Sequence, residues 1–348
     1  MAASFGKIDE IRQGESANEF YKGTHGHHAG ARLISPHSYF DLASLTKVLA
    51  TTLLAMIKVE RAEMSLDQPL SQLLPEYVAL YPDMGKVTME HLLTHTSGLP
   101  AWSPIYEKIR ERFSGSMNGI NVETREAAFR EFLDQIRPEL PVGERIVYSD
   151  LGFLLLERLL SSNFGEEIHG IYSRVPSLGL HFRPIGLSSV WSAMRHSVES
   201  TVMTEVCPWR GPLQGQVHDD NAWSKGGVAG HAGIFGTLRD VLLWIEALFS
   251  EKWVSRKTLR QFADSRMDAS GNRRAIGFDL PAIDGLGSTG FSFSLNSIGH
   301  LGFTGTSIWM DLDSGDYAIL LTNRVHPSRS DDRIRKLRRE FHRMARGD

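Results

Sequence analysis

The stretch FDLASLTKVLATTLLAMIKV, residues 40–59, decides the fold of this 348-residue chain. From residue 45 to residue 59, apolar side chains occupy almost every face of the helix that the stretch predicts. A helix that is apolar on all sides is buried, so we expect it to run through the middle of the fold. Near its start the stretch carries a serine and a lysine three residues apart, Ser44 and Lys47, and residues at this spacing share one helix face.

The overall composition is typical of a globular protein that binds neither nucleic acid nor an anionic membrane. Hydrophobic residues make up 41% of the chain and charged residues 23%, and the formal net charge is −3. This near-neutral balance predicts no basic surface for phosphate groups. The one cysteine, Cys207, excludes an intramolecular disulfide and a cysteine-based zinc cluster.

Neither a membrane span nor a signal peptide is predicted. No uninterrupted apolar run approaches the roughly 20 residues that a transmembrane helix needs. Residues 1–16 contain no basic segment followed by an apolar one. The chain as given therefore predicts a cytoplasmic protein, and a periplasmic location requires that a signal has been removed, so the compartment stays open.

Strand patterns occur at both ends of the chain. Residues 4–34 predict short strands joined by turns. Residues 274–280, 306–312 and 317–323 predict further strands, and the turn DLDSGD joins the last two as a hairpin. A basic amphipathic helix, residues 331–345, ends the chain. These patterns predict one sheet that is built from both termini.

The middle of the chain is mostly helical, with an irregular span at residues 173–222. We therefore expect a mixed α/β (α+β) fold of two parts. Residues 1–60 and 229–348 form the sheet domain, and residues 61–228 form an inserted, mostly helical domain.

The pair Ser44 and Lys47 suggests nucleophilic catalysis. A serine hydroxyl is a weak nucleophile until a base removes its proton. A lysine can be that base if burial among apolar residues lowers its pKa, which the surroundings of Lys47 predict. At the start of a helix, Ser44 would also gain from free backbone N–H groups. Alone, however, Ser-x-x-Lys is expected about once by chance in a chain of this length.

Two further motifs could complete such a site. In the first, Tyr148, followed by Ser149 and Asp150, could relay a proton beside an ammonium group. The alternative is that Ser149 or Asp150 only caps the next helix.

The second motif is HLGFTG, residues 300–305, which leads into a strand. Gly302 beside His300 permits close approach of a ligand to the backbone. The N–H of Phe303 could then stabilise an oxyanion together with the N–H of Ser44. The alternative is a bulge or tight turn with a surface histidine.

Together, the order Ser-x-x-Lys, Tyr-x-Asp and His-x-Gly resembles the penicillin-recognising serine hydrolases. The flanking stretches FDLASLTKVLATT, HLLTHTSGLP, YSDLGF, GGVAGHAGIFGT, GHLGFTGTS and LLTNRVHPSR resemble the class C β-lactamase-like family, over roughly residues 20–345. That family includes D,D-peptidases, esterases, D-amino-acid peptidases and β-lactamases. The resemblance implies an antiparallel sheet flanked by helices, with the site between this sheet domain and a helical domain.

The resemblance also implies a role for each site residue. Ser44 would be the acylated nucleophile, and Lys47 with Tyr148 would form its base. Asp150 would stand where the family usually has a substrate-contacting asparagine. His300 would occupy the first position of the Lys-Thr-Gly motif, and the N–H groups of Phe303 and Ser44 would form the oxyanion hole.

Two departures from the family pattern bear on the substrate. A histidine at position 300 is mostly neutral at pH 7 if its pKa is ordinary, whereas lysine offers a cation to a substrate carboxylate. An ionised Asp150 would repel that carboxylate, and Leu301 lacks the hydroxyl of the family's threonine. The sequence therefore predicts poor hydrolysis of β-lactams.

Histidines elsewhere offer competing hypotheses. His91 and His95 have the spacing of a zinc-binding helix, but residue 92 is leucine rather than the glutamate of His-Glu-x-x-His, which favours packing or hydrogen bonding. His25, His27 and His28 cluster in one loop, where a solvated turn is favoured over a metal site.

His231 lies in a glycine-rich loop that the family places near the cleft, so it could line the pocket or only pack the loop. The basic helix at residues 333–346 could attract an acidic partner or pack its apolar side on the sheet. We expect no metal and no organic cofactor.

The leading prediction is a serine hydrolase that forms an acyl-enzyme on Ser44, with a D,D-peptidase-like action on a peptidoglycan-type amide. A small-ester hydrolase or weak β-lactamase is the alternative on the same scaffold. The rival from another class is a non-catalytic penicillin-binding or sensor protein. The partner is a small-molecule or peptide substrate, and no oligomeric state is predicted.

Overall fold

The computed structural model describes residues 1–13, 17–115, 117, 119–182 and 198–345. The strands are β1 (Ala2–Lys7), β2 (Asn18–Tyr21), β3 (Phe40–Asp41), β4 (His181–Phe182), β5 (Val206–Cys207), β6 (Gly211–Pro212), β7 (Ile234–Gly236), β8 (Arg266–Met267), β9 (Arg273–Arg274), β10 (Ser297–Leu301), β11 (Ser307–Asp311) and β12 (Asp316–Leu321). The α-helices are α1 (Ile8–Arg12), α2 (Leu53–Glu60), α3 (Leu70–Leu73), α4 (Pro75–Leu80), α5 (Met89–Leu93), α6 (Ile105–Arg112), α7 (Val122–Leu133), α8 (Asp150–Leu160), α9 (Phe164–Tyr172), α10 (Asp220–Lys225), α11 (Leu238–Phe249), α12 (Arg256–Ala263) and α13 (Ile334–Ala345).

The main sheet joins both ends of the chain, as predicted. Its five strands lie in the order β10-β11-β12-β1-β2, and every neighbouring pair is antiparallel. Ala2 of β1 pairs with Leu321 of β12, so the N-terminal strand closes against the C-terminal hairpin. The α/β fold class with an antiparallel sheet is therefore confirmed.

The helix predicted from residue 45 begins there and continues to Glu60. Its section Lys47–Thr52 is π-helical and fully buried, and α2 follows directly. The carbonyl of Leu49 accepts hydrogen bonds from the Tyr172 hydroxyl at 2.8 Å and from the Trp244 indole N–H at 3.1 Å. Such side-chain donors commonly accompany an altered helical hydrogen-bond pattern. Residues 45–57 are buried on all sides, as predicted, and only the last turn reaches the surface.

A small three-stranded sheet, in the order β3-β7-β4, leads the chain into that helix. Helices α3 to α10 fall within the predicted inserted region, but β4 from the same region pairs with β7. The division into residues 1–60 plus 229–348 and residues 61–228 stays a prediction.

The basic C-terminal helix packs on the sheet. Ile334 and Phe341 of α13 join Trp309 and Leu320 in one apolar cluster, so the predicted packing of its apolar side is confirmed. No helix in the described part of the chain is long and apolar enough to cross a membrane.

Some predicted elements were wrong or incomplete. The strand predicted at residues 274–280 is limited to β9, because Gly277 takes a left-handed φ of +82° and Ala275 closes a turn onto the carbonyl of Phe278. The short helix α1 interrupts the predicted N-terminal strands, since Asp9 and Glu10 favour a helical first turn. Part of the irregular span, residues 183–197, lies outside the described residues.

Candidate active site

Ser44 lies in a tight turn between β3 and the central helix. Ala43, just before it, has a left-handed φ of +47°, which is unusual for a residue with a side chain. The buried Asp41 carboxylate holds this turn, because it accepts hydrogen bonds from the Ala43 N–H at 2.8 Å and the His218 N–H at 2.7 Å. Burial nevertheless raises the pKa of Asp41 above its ordinary value. Hydrogen bonds to the Asp41 carboxylate therefore fix the turn that presents Ser44.

Lys47 is fully buried directly behind Ser44. Its Nζ donates to Ser44 Oγ at 3.1 Å, to Asp150 Oδ1 at 2.7 Å and to the His231 carbonyl at 3.4 Å. Burial is the largest single influence on the pKa of Lys47 and acts to lower it, as predicted, but the Asp150 carboxylate and Tyr148 together outweigh burial and raise this pKa. The predicted lowering of this pKa was therefore wrong, because the motif that replaces the family asparagine supplies a counter-ion.

Tyr148 covers the other side of Lys47, whose Nζ lies 4.8 Å from the centre of the tyrosine ring. Although 39% of Tyr148 is exposed, desolvation of the phenolate raises the pKa of its hydroxyl, and Lys47 and Ser44 only partly offset this. The Tyr148 hydroxyl is therefore neutral near pH 7.

A buried histidine holds the Tyr148 loop in place. His95 Nδ1 accepts a hydrogen bond from the Ser149 N–H at 2.9 Å, and its ring centre lies 4.7 Å from that of Tyr148. Burial lowers the pKa of His95 well below its ordinary value, so the ring is neutral with the proton on Nε2. Ser149 is the N-cap of α8, as its side chain accepts from the Gly152 N–H.

His300, on β10, is buried, and burial lowers its pKa to about 4. Its Nδ1 donates to the Leu301 carbonyl at 2.9 Å, and its Nε2 accepts from Arg274 at 3.3 Å. Arg274 also forms an ion pair with Asp279 at 2.5 Å. The lysine of the family motif is thus replaced by a neutral imidazole, with a guanidinium behind it.

The loop after β10 is tied to the turn that carries Ser44. Thr304 Oγ1 donates to the Asp41 carbonyl at 2.7 Å, and Thr306 Oγ1 donates to the Leu42 carbonyl at 3.1 Å. Gly302 must be glycine here, because an added Cβ would lie 2.8 Å from the Leu42 carbonyl oxygen. These contacts hold the two backbone segments of the predicted oxyanion hole, at Ser44 and Phe303, in one arrangement.

A cleft of about 380 Å³ opens in front of these residues. Among its lining residues are Ser44, Tyr148, His300, Gly302 and Phe303. The fold therefore brings five of the seven predicted site residues to one cleft wall. The other two, Lys47 and Asp150, are not among the described residues that line it.

Three arginines also line the cleft, together with the carboxylates of Asp279 and Asp332. Arg324, Arg335 and Arg338 line it, the last two from α13. Arg324 lies over the Phe303 ring, 4.4 Å from its centre, and burial lowers the pKa of Arg338 to about 10. The basic helix thus contributes charge to the cleft itself.

A second polar cluster lies behind Lys47. Asp150, Asp219 and His231 each place a potential ligand atom within 4.8 Å of the others, the only such metal-type group among the residues described. Their contacts are already made, since Asp150 binds the Lys47 ammonium group and Asp219 accepts from His231 Nε2 at 2.9 Å. These residues therefore fit a proton network better than a cation site. His231, at 1% exposure, is not among the described residues lining the cleft.

The histidine pairs considered as metal sites have hydrogen-bonding roles. His91 Nδ1 accepts from the Thr88 N–H at 3.1 Å, and His95 lies beyond the end of α5 with a left-handed φ of +60°. In the N-terminal loop, His25 Nε2 lies 2.7 Å from Ser38 Oγ, and the N–H of His27 donates to the His326 ring.

Sequence reasoning missed Arg274, Asp279, His95 and His218. Arg274 lies 26 positions from His300, and His95 lies 54 positions from Ser149, so no motif spacing links these pairs. One weak signal was the charged pair Arg273-Arg274 at the start of a predicted strand. His218, whose ring stacks on Phe303 at 5.6 Å, had no signal beyond its neighbour Asp219.

Comparisons with known proteins agree with this architecture. The Beta-lactamase family model matches residues 14–343. A putative D-alanyl-D-alanine carboxypeptidase of Salmonella agona (strain SL483) is 24% identical over 328 residues, which cover 84% of this chain and 71% of that protein. An N-acetylmuramyl-L-alanine amidase of Bacillus subtilis (strain 168) is 26% identical over 319 residues, covering 82% and 68%.

A solved structure shares the fold. The penicillin-binding protein from Bacillus halodurans superposes with a TM-score of 0.67 at 17% identity, over 97% of this chain and 94% of that one. Together with the family match, this places the antiparallel sheet and the cleft in a known scaffold. The chain belongs to the beta-lactamase family and is a serine hydrolase.

Proposed function

We propose that this enzyme forms an acyl-enzyme on Ser44, and that Lys47 and Tyr148 transfer the Ser44 hydroxyl proton to the leaving group. The observation that carries the proposal is the 3.1 Å contact between Ser44 Oγ and Lys47 Nζ at the cleft wall. Ser44 Oγ attacks a substrate carbonyl while its proton passes to the base. The neutral Tyr148 hydroxyl then hands a proton to the leaving group. Water releases the acyl group in a second round.

The N–H groups of Ser44 and Phe303 are the proposed donors to the tetrahedral oxyanion. Each such donor typically contributes about 3 kcal/mol in the transition state, provided that its position is set in advance. The bonds from Thr304 to Asp41 and from Thr306 to Leu42 support this assignment, since they tie the two donor segments together.

For the substrate, we propose a peptidoglycan-type amide that ends in a free carboxylate, as in a D,D-carboxypeptidase reaction. Arg335 lines the cleft, where a guanidinium can bind a carboxylate with two hydrogen bonds, while Arg324 beside it donates to the carbonyls of Phe303 and Asp331. The names of the Salmonella and Bacillus relatives also support a cell-wall peptide as substrate.

A small-ester hydrolase is the second candidate, and one observation favours it. His300 is neutral and buried, so the strand beside Ser44 offers no cation of its own to a carboxylate. A substrate without a carboxylate would lose nothing at this position. Weak β-lactam hydrolysis is a further alternative, and so is a penicillin-binding protein whose adduct is not hydrolysed.

Covalent labelling tests the nucleophile. Wild-type protein treated with a fluorophosphonate or a penicillin should gain one adduct by intact-mass spectrometry, mapped to Ser44. Ser44→Ala should gain none, and Lys47→Met should lower turnover by at least about a hundredfold. Equal labelling of wild type and Ser44→Ala, or none of either with every probe, would contradict the assignment.

A matched substrate pair tests the carboxylate. A peptide ending in D-Ala-D-Ala and its carboxamide differ only in the terminal charge. For a carboxypeptidase we expect kcat/KM to favour the free acid at least tenfold, and Arg335→Gln should reduce this preference. The control is Arg339→Gln on the exposed side of the same helix. Activity confined to p-nitrophenyl acetate or nitrocefin would instead indicate the esterase or β-lactamase alternative.

A further inference from the structure

All three N–H donors of the Lys47 ammonium group have hydrogen-bond acceptors. An ammonium group has three N–H donors and no lone pair. Lys47 uses them on Ser44 Oγ, the His231 carbonyl and Asp150 Oδ1, and the contact with Asp150 is the shortest at 2.7 Å. In this arrangement Lys47 donates to Ser44 and cannot receive its proton. One proton must first leave Nζ before Lys47 can serve as a base.

The possible acceptors of that proton are few. The His231 carbonyl is not basic, and Ser44 is the group to be deprotonated. Tyr148 is already a neutral phenol, so it has no site for another proton near pH 7. Only the Asp150 carboxylate is both in contact with Nζ and able to hold a proton.

We propose that Asp150 takes a proton from Lys47 as acylation begins, so that the base acting on Ser44 is the Lys47–Asp150 pair. This inference rests on the proposed role of Ser44 as nucleophile. It assigns Asp150 a proton-transfer role in place of the contact with substrate that the family asparagine makes. Asp150 acts through Lys47 and is therefore a positioning and proton-holding residue.

The proposed steps conserve charge and protons. At rest, Lys47 is an ammonium group and Asp150 a carboxylate. A proton moves from Nζ to Oδ1, which leaves a neutral amine beside a neutral acid. The amine then takes the Ser44 proton as Oγ bonds to the carbonyl carbon. When the leaving group departs with a proton from Lys47, relayed by Tyr148, the acid returns its proton to Nζ and the ion pair is restored.

The position of Asp150 suits this role better than the alternatives. Helix capping belongs to its neighbour Ser149, so the carboxylate is not needed there. The Asp150 N–H donates to the Ala101 carbonyl at 2.9 Å, which fixes the backbone. The side chain is only 19% exposed and is not among the described cleft-lining residues, so it has little access to substrate.

The surrounding charges also favour a mobile proton. Asp219 lies close to Asp150 and holds its own charge through His231 and the Ala222 N–H. A second carboxylate therefore lies beside Asp150. Among the described residues, Lys47 interacts electrostatically with Tyr148, His95, His300 and Asp279, and Asp219 and His231 lie beside Asp150. Arg274 lies over the Tyr148 ring, 5.3 Å from its centre. A neutral acid and amine also need less solvation than an ion pair in this buried setting.

The pH profile of Asp150→Asn separates proton transfer from simple charge pairing. We would measure labelling of Ser44 by a fluorophosphonate and hydrolysis of p-nitrophenyl acetate from pH 5 to pH 9. If the pair is the base, the wild-type rate is flat over the neutral range, because the resting ion pair already holds the right number of protons. In Asp150→Asn, the reaction should then require the free amine of Lys47. The acid limb of the profile, where the rate falls as the pH is lowered, should therefore shift to higher pH by at least one unit, and the rate at pH 6 should fall at least tenfold.

The rival interpretation predicts the opposite sign. If Asp150 only keeps Lys47 charged, its removal frees the amine, so the acid limb should move to lower pH and the rate at pH 6 should increase. That result, or an unmoved limb, would overturn the proposal. Asp150→Glu should restore the wild-type limb position, which provides a second test if Asp150→Asn does not fold. The matched control is Asp134→Asn, which removes a similarly buried carboxylate from an ion pair with Arg158.

Wild-type labelling separates the two levels of inference. Absence of any adduct on wild-type Ser44 would refute the proposed function itself. Labelled wild type with a limb that moves downward in Asp150→Asn would refute only the role of Asp150.

Discussion

Replacing Arg274 with methionine should raise the pKa of His300. Arg274 donates to His300 Nε2 at 3.3 Å, so it stabilises the neutral ring and repels a proton on it. Two unit charges at this distance repel by about 5 kcal/mol at an effective dielectric constant of about 20. Asp279, released from its 2.5 Å ion pair, would then attract the proton.

Only part of this energy will be recovered, because water and side chains rearrange around the shortened residue. We therefore expect the pKa of His300 to rise from about 4 by at least one unit, which corresponds to about 1.4 kcal/mol. The assay is an NMR titration of the imidazole resonances from pH 4 to pH 8, with His300→Gln to assign the signal.

The neighbouring arginine provides a matched control. Arg273 lies next in the chain on β9 but contacts Ser265 instead, so Arg273→Met removes the same charge without touching His300. The His300 pKa should stay near 4 in that variant. An unchanged or lower pKa in folded Arg274→Met would refute the view that the guanidinium adds to burial in keeping His300 neutral.

Two further outcomes follow from other contacts. Thr304→Val removes the 2.7 Å hydrogen bond to the Asp41 carbonyl and should lower kcat/KM about tenfold, because the oxyanion segment loosens. The control Thr94→Val loses a similar hydrogen bond to a helix carbonyl and should leave kcat/KM unchanged. Equal losses of kcat/KM in the two variants would contradict this role of Thr304. Burial lowers the pKa of His342 from 6.5 to about 4, so its contribution to stability is complete above pH 6.5 and is lost as the pH falls towards 4. Between pH 7 and pH 4.5, the free energy of unfolding measured in urea should fall by about 2–3 kcal/mol less in His342→Gln than in wild type. Identical falls in the two proteins would show that His342 is not the source of this pH dependence.

Much of the fold was predictable because it depends on local patterns. The apolar stretch at residues 45–59 could only be stable inside the protein, and residues 45–57 are buried. The hairpin of β11 and β12 follows from two short apolar runs around a turn. In contrast, the strand predicted at residues 274–280 failed, since tertiary contacts of Gly277 turn the chain away.

The candidate site was predictable to the extent that its residues occur in motifs. Ser44, Tyr148 and His300 were identified from three separate motifs, and the fold brings them to one cleft. Their proposed roles stay predictions. Arg274 and Asp279, which modify the effect of burial on the pKa of His300, could not be found, because no spacing in the chain records the contact between Arg274 and His300.

The sequence by itself determined which residue types could carry acyl transfer and that Lys47 would be buried with them. It did not determine the charge of that lysine. Burial alone would favour the neutral amine. Only the tertiary structure places the Asp150 carboxylate 2.7 Å from Nζ, with Tyr148 beside it, and together these two groups outweigh desolvation. Protonation depends on distances between residues that are 103 positions apart in the chain, and those distances exist only after folding.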